Sequence, residues 1–253
     1  MKPQLAKLLQ HPTIWQAAQR SSAQPSLATG YDSLNQQLHL GGWPLASSTE
    51  LLSNEHGVGE LQILLPALRQ LGQQGWLALI APPYLPYAPA LQHSGINLKQ
   101  LLIVQSRNVA DALWANEQLL RCGHFTAVLS WFGATNIRYP QLRKIQIAAQ
   151  EGQSWAVLFR PAQLAAQSSP VSLRIALQAK PRHVGLHILK QPGGWGGQQL
   201  VLPRPTYLVD AALPVDQWPV HQVLQKSAEQ QHMGMPLHIV ADNKRPPSAS
   251  IQQ

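Results

Sequence analysis

The chain has 253 residues, of which 45% are hydrophobic and 12% charged, with a net charge of +8 and a single cysteine, Cys122. This length and composition describe one sizeable folded core and exclude a disordered chain. A lone cysteine excludes a disulfide framework and a cysteine-based zinc site, and it fits a reducing compartment. Since no apolar run has the length of a signal peptide or a membrane span, we expect a cytoplasmic protein with no membrane partner.

Between residues 49 and 159, apolar runs alternate with helical patterns, which is typical of βαβ units around a parallel sheet. Helices are predicted over residues 60–73, 108–123 and 140–149, with capping and first-turn signals at the starts of the last two. Pro66 is expected to kink the first helix. The predicted buried strands are residues 49–52, 76–81, 101–105, 126–131 and 154–159.

The pattern changes after residue 170. Residues 172–179 and 183–190 alternate strictly between apolar and polar, which predicts a half-buried antiparallel pair. A glycine-rich turn at residues 191–197 then leads to a third strand at 198–203. These strands extend the predicted parallel sheet at its C-terminal side.

Three parts are predicted along the chain. Residues 1–26 are expected to form an N-terminal helical arm and residues 27–204 the core domain. Residues 205–253 are rich in proline and glutamine without sustained periodicity, so we expect a mobile C-terminal tail.

The excess positive charge lies in residues 138–204, which hold nine Lys and Arg residues against Glu151 alone. Such a region predicts a surface for polyanions, since phosphate neutralisation supplies most non-specific nucleic-acid affinity; an ordinary solvated surface is the alternative.

Trp195, flanked by glycines, is predicted to be a stacking or interface anchor, or else a lid over the end of the sheet. The candidate contacts with DNA or a partner are Arg138, Arg143, Lys144, Arg160, Arg174, Lys180, Arg182, Lys190 and Trp195.

Two stretches resemble RecA. They are LATGYDSLNQQLHLGGWPLASSTELL (27–52) and LALIAPPYLPYAPALQHSGINLKQLLIVQ (77–105). The resemblance implies an α/β, RecA-like P-loop NTPase fold over roughly residues 27–190, with a parallel central sheet plus C-terminal antiparallel strands.

In that resemblance, the loop after residue 52 takes the place of the phosphate-binding loop. A P-loop needs a glycine-rich turn, a Lys for the phosphates and a Ser or Thr hydroxyl for Mg²⁺. Ser53, Gly57 and Gly59 form a glycine-containing turn, but Gly59 and Glu60, or Glu60 and Leu61 if the register shifts by one, fall at the Lys and Ser/Thr places. The sequence therefore predicts a degenerate phosphate loop.

The other catalytic places of the RecA fold are also changed. The resemblance puts the catalytic carboxylate at Pro83, the Walker B aspartate at Trp131 or Ser130, and the γ-phosphate sensor at Pro161. Together these losses remove the metal ligand, the base that activates water and the residue that senses the γ-phosphate. We predict no ATP hydrolysis, no catalytic residue, no bound cofactor and no metal.

Within this fold the chain is similar to ImuA, the RecA-like accessory of bacterial mutagenic repair. The similar segments are HPTIWQA (11–17), ELQILLPALRQLGQQGWLALIAPPYLPYAP (60–89) and HVGLHILKQPGGWGG (183–197). The resemblance implies a non-enzymatic, nucleoid-associated adaptor in SOS-induced, error-prone translesion DNA synthesis. Its implied partners are an ImuB-like Y-family protein and an error-prone C-family DNA polymerase, with DNA and RecA as further candidates, and residues 5–20 are the candidate docking element.

The middle of the chain, about residues 50–180, resembles SulA, the shorter inhibitor of bacterial cell division. This resemblance implies the alternative function: binding the tubulin-like division GTPase and blocking its polymerisation. The predicted arm and tail favour the repair adaptor, because the division inhibitor has no counterpart of either. A third hypothesis, an active recombinase, needs the nucleotide site that the loop lacks.

Overall fold

The computed structural model describes residues 24–54, 57–106, 108–133, 137–180 and 182–203. Almost all of the predicted arm, its docking element and the whole predicted tail lie outside these residues. The three-part division of the chain therefore stays a prediction.

Within the described ranges, a two-stranded ribbon precedes a mixed eight-stranded sheet. The ribbon pairs β1 (Ser26–Leu27) with β2 (Trp43–Pro44). The sheet consists of β3 (Ser47–Ser53), β4 (Trp76–Ile80), β5 (Leu101–Val104), β6 (Phe125–Trp131), β7 (Trp155–Pro161), β8 (Leu173–Lys180), β9 (His183–Lys190) and β10 (Gln199–Pro203).

The strand order in the sheet is β10-β9-β8-β3-β7-β6-β4-β5. Strands β3 to β8 are parallel, while β9 and β10 are added by antiparallel pairing. The predicted α/β class, with a parallel centre and antiparallel C-terminal strands, is confirmed.

Five α-helices lie in the described residues: α1 (Asp32–Gln37), α2 (Leu65–Leu71), α3 (Ala88–His93), α4 (Val109–Arg121) and α5 (Tyr139–Glu151). The predicted start of α4 is confirmed, since the Asn108 side chain accepts a hydrogen bond from the Asp111 N–H at 2.9 Å. The predicted kink at Pro66 is wrong. Pro66 lies in the first turn of α2, where its missing N–H costs nothing, and a short 3₁₀ turn precedes it.

Helices cover both faces of the sheet. One hydrophobic cluster includes Leu34 of α1, Leu68 of α2 and Leu91 of α3. A second cluster, on the other face, includes Ala112 of α4 and Leu142 of α5. Because both faces are covered, the parallel strands are apolar along their length, as their sequences indicate.

The loops that leave the parallel strands meet at one edge of the sheet, its carboxyl edge. The phosphate-loop position follows β3 there, and α5 begins there after β6. In the described residues, no helix is both long enough and apolar enough to cross a membrane.

Candidate functional site

The loop after β3 holds an anion that belongs to the chain itself. Gly57 and Gly59 have positive φ angles of 76° and 102°, the left-handed region that favours glycine. Their backbone N–H groups donate to the two carboxylate oxygens of Glu60, to Oε1 at 2.9 Å and to Oε2 at 3.1 Å. Glu60 is 9% exposed. In a P-loop, backbone N–H groups of this kind bind phosphate.

In this arrangement the backbone N–H groups of Gly57 and Gly59 are already bonded to a carboxylate of the chain. A phosphate would have to displace a buried carboxylate that already satisfies two backbone donors, and the two anions would repel each other. Residue-type comparison alone identified Glu60 as a lost Mg²⁺ ligand. The geometry adds that its carboxylate takes the position of the anion.

Of the other positions that the RecA resemblance marks as catalytic, Trp131 and Ser130 are used for packing, whereas Pro83 is exposed. Trp131 stacks on Phe159, with ring centroids 4.3 Å apart and planes 9° from parallel. Ser130 Oγ accepts a hydrogen bond from the Asn116 side chain at 2.5 Å, and Asn116 is fully buried in α4. Pro161 ends β7. The stack therefore joins the neighbouring strands β6 and β7, and the Asn116–Ser130 bond joins β6 to α4.

The described residues offer no other catalytic constellation. They contain no group of three or more His, Cys, Asp or Glu side chains that could hold a metal ion. An open cleft of about 310 Å³ lies beside α2 and α3; its polar lining includes Arg69 and His93 but no carboxylate for acid–base chemistry.

A buried ion cluster lies between β7, β3 and β8. Glu50 is fully buried and accepts from Arg160 Nη1 at 2.6 Å, from Arg174 Nε at 2.6 Å and from Ser169 Oγ at 3.0 Å. Arg174 also donates to carbonyl groups in the turn 164–167. The Arg160 and Arg174 side chains are 1% and 7% exposed. Their assignment as surface contacts is corrected, because their charges are paired inside the domain.

Lys190 is tied to the same cluster. Its Nζ donates to the Ser169 carbonyl at 3.0 Å. Desolvation by burial, and then the nearby Arg174 charge, hold the pKa of Lys190 below its usual value, while Glu50 acts in the opposite direction. Lys190 as a whole is exposed, but its Nζ reaches the buried cluster, and it lies apart from the cations of α5.

The remaining candidate residues are exposed but lie in different places. Arg138, Arg143 and Lys144 lie at the start of α5, and Lys180 and Arg182 lie at the β8–β9 turn. Both places are at the carboxyl edge of the sheet.

Trp195 lies beyond the end of β9, at the opposite edge of the sheet. It is 89% exposed, so it is not a lid, and its carbonyl accepts from Gln191 Nε2 at 2.7 Å. Its role as an interface anchor stays a prediction.

Known proteins similar to this chain share its central region. A family model described as "Cell division inhibitor SulA" matches residues 46–156. The SulA of Serratia proteamaculans (strain 568) is 32% identical over 114 residues, which are 45% of this chain and 67% of that protein. The SulA of Edwardsiella piscicida is 31% identical over 125 residues, with 46% and 73% covered. A crystal structure of SulA from Pseudomonas aeruginosa has 31% identity, covers 45% of this chain and 97% of that one, and gives a TM-score of 0.38.

These findings correct the predicted function. The translesion-synthesis adaptor is wrong, and so are its partners: the ImuB-like protein, the C-family polymerase, DNA and RecA. Nucleoid association rested on the same partners and loses its basis with them. The preference for the adaptor was based on the ImuA resemblance and on the arm and tail, whereas the family model matches residues 46–156. By this similarity, the chain belongs to the SulA family.

Proposed function

We propose that this protein inhibits bacterial cell division by binding the tubulin-like division GTPase and preventing its polymerisation. The match of the SulA model to residues 46–156 carries the proposal, because it runs from the residue before β3 into β7. It therefore includes the phosphate-loop position, α4 and α5. The relatives described above bear the name of cell division inhibitors.

The inhibitor acts by binding and not by catalysis. Two features support this: Glu60 takes the anion position of the loop, and the Trp131–Phe159 stack stands where a metal-binding carboxylate would be needed. A protein that inhibits by binding alone blocks a number of target molecules that is proportional to its own amount.

We also propose a RecA-like P-loop ancestry for the domain. The left-handed Gly57 and Gly59, placed between a central parallel strand and the helical segment that follows, support it. The narrower likeness to ImuA rests partly on residues 11–17 and 183–197, which the SulA model does not reach, and it stays a prediction about sequence only.

Expression in a rod-shaped bacterium tests the function. We expect filamentous cells. We also expect the purified protein to reduce the GTP-dependent sedimentation of the division GTPase, with the loss becoming complete as the two proteins approach equimolar amounts. Isothermal titration with ATP and Mg²⁺ should show no binding. Normal division together with undiminished sedimentation would contradict the proposal, and micromolar ATP binding would contradict the account of the loop.

A further inference from the structure

The first two turns of α5, with the residue before them, carry three exposed cations and an exposed aromatic ring. Arg138, Arg143 and Lys144 are exposed, and Tyr139 is 50% exposed. We call these four residues the α5 patch. None of its cations lies within 4.0 Å of a carboxylate in the part of the chain that the structure describes.

These charges oppose the local electrostatics of the helix. A helix start carries partial positive charge and favours acidic side chains, by about 0.3–1 kcal/mol each. The first turn of α5 has no acidic residue. The one carboxylate of α5 is Glu151, at the far end, where it pairs with Arg121 of α4 at 2.9 Å. The described structure therefore contains no group that compensates the cations of the patch.

Arg138 breaks a second local rule. It is the N-cap residue of α5, and its side chain makes no capping hydrogen bond. Ser, Thr, Asp or Asn at this position would stabilise the helix by about 1 kcal/mol. Natural sequences that violate several local rules at one place do so most often where function requires it.

The patch sits on a firmly positioned element. The Gln146 side chain of α5 accepts from the Ser48 N–H of β3 at 2.9 Å, and from the Ser48 hydroxyl as well. Just before the patch, Arg160 Nη2 donates to the Ile137 carbonyl at 3.4 Å. A partner would therefore meet a preformed surface, which reduces the ordering cost of binding.

We propose that the α5 patch docks an acidic surface of a protein partner, with Tyr139 packed against that surface and the three cations paired with its carboxylates. This inference rests on the proposed function, from which the partner is the division GTPase. Tyr and Arg are enriched at protein interfaces, and opposite charges raise the rate of association.

The distribution of charge favours a protein over a nucleic acid. Arg160 and Arg174 are withdrawn into the buried cluster, so the basic region does not form a continuous track. The nearest exposed cations on strand ends, at the β8–β9 turn, lie three strand spacings from β6, or roughly 14 Å. Non-specific binding of DNA comes from cations that neutralise phosphates, and the three exposed cations of the patch supply few such contacts.

A pair of charge-reversal variants tests the inference. The first is Arg143→Glu with Lys144→Glu; its matched control is Lys180→Glu with Arg182→Glu, which changes the net charge equally. We expect the first to weaken binding to the division GTPase roughly tenfold at low salt, about 1.4 kcal/mol, and to flatten its salt dependence. The control should stay within about twofold, and thermal unfolding should show that both variants are folded.

The outcomes separate the two proposals. If the unmodified protein binds the GTPase and both double variants bind equally well, or are weakened equally, the α5 patch is not the docking surface and the proposed function stands. If Arg143→Glu with Lys144→Glu abolishes binding of the protein to DNA but leaves its binding to the GTPase unchanged, the patch binds nucleic acid and the inference is overturned. Failure of the unmodified protein to bind the GTPase overturns both. Tyr139→Ala gives a second measure and should weaken binding without altering the salt dependence.

Discussion

The buried arginines of β7 and β8 and the exposed cations of α5 come from one basic stretch, residues 138–204, yet they have opposite surroundings. Arg160 and Arg174 share the carboxylate of Glu50 with almost no exposure to solvent. Arg143 and Lys144 stand in solvent with no carboxylate partner in the described residues. The comparison shows that local charge density does not tell which cations serve folding and which remain available to a partner.

The energetic consequences differ accordingly. Removing one member of a buried ion pair leaves an uncompensated charge away from water, whereas an exposed charge keeps its hydration. Substitutions at Glu50 and on α5 should therefore change stability by different amounts and in different directions.

The largest effect is expected for Glu50→Gln. The substitution leaves two buried guanidinium groups without a counter-charge, and we expect the free energy of unfolding to fall by about 3–5 kcal/mol. Urea unfolding followed by circular dichroism measures it. The matched control is Glu151→Gln, which removes an exposed partner of Arg121 and should cost less than about 1 kcal/mol. If the free energy of unfolding falls equally in the two variants, the buried and exposed ion pairs do not differ in their contribution to stability.

A stabilising effect is expected for Arg138→Asp. Aspartate supplies the missing N-cap acceptor and a favourable charge at the helix start, while the Gln141 side chain still accepts from the backbone N–H of residue 138. We expect a gain of about 1 kcal/mol, seen as a higher midpoint of thermal unfolding. Arg138→Ala, which removes the charge without adding an acceptor, should gain less. A loss of stability in the aspartate variant would mean that Arg138 has a structural role in the domain.

The smallest effect concerns Lys190 and pH. Because its pKa is lowered in the folded state, the unfolded chain binds more protons between that pKa and the usual value of 10.5. The contribution of Lys190 to stability should therefore rise with pH through this window. Lys190→Met should flatten the alkaline slope of the unfolding free energy, measured by urea titrations at several pH values. An unchanged slope would show that the lysine is fully hydrated in the folded protein.

Much of the fold could be predicted because its signals are local. The apolar runs locate β3 to β7, strict alternation locates β8 and β9, and the Asn108 cap marks the start of α4. The kink at Pro66 was wrong because a helical period continues across a 3₁₀ turn, so the periodicity did not show that α2 begins only at Leu65.

The buried cluster depends on strand order, which no local pattern shows. Glu50 meets Arg174 because β3 pairs with β8, in a register that places the two residues side by side. A partial signal did exist, because Glu50 is an isolated charge inside a strand predicted to be buried, and such a charge indicates a partner. Arg160 directly follows its predicted strand and Arg174 occupies a polar position of an alternating one, so neither shows the pairing by itself. The predicted function was wrong because the likeness to ImuA, together with the arm and tail, outweighed the central region that the SulA family model matches.

The carboxylate of Glu60 has a physiological consequence. RecA-type switches change shape with the nucleotide they hold, so their output follows the ratio of ATP to ADP in the cell. Here the loop is completed as soon as the chain folds, by a group that never dissociates. Under the proposed function, we therefore expect inhibition that does not depend on the ratio of ATP to ADP in the cell.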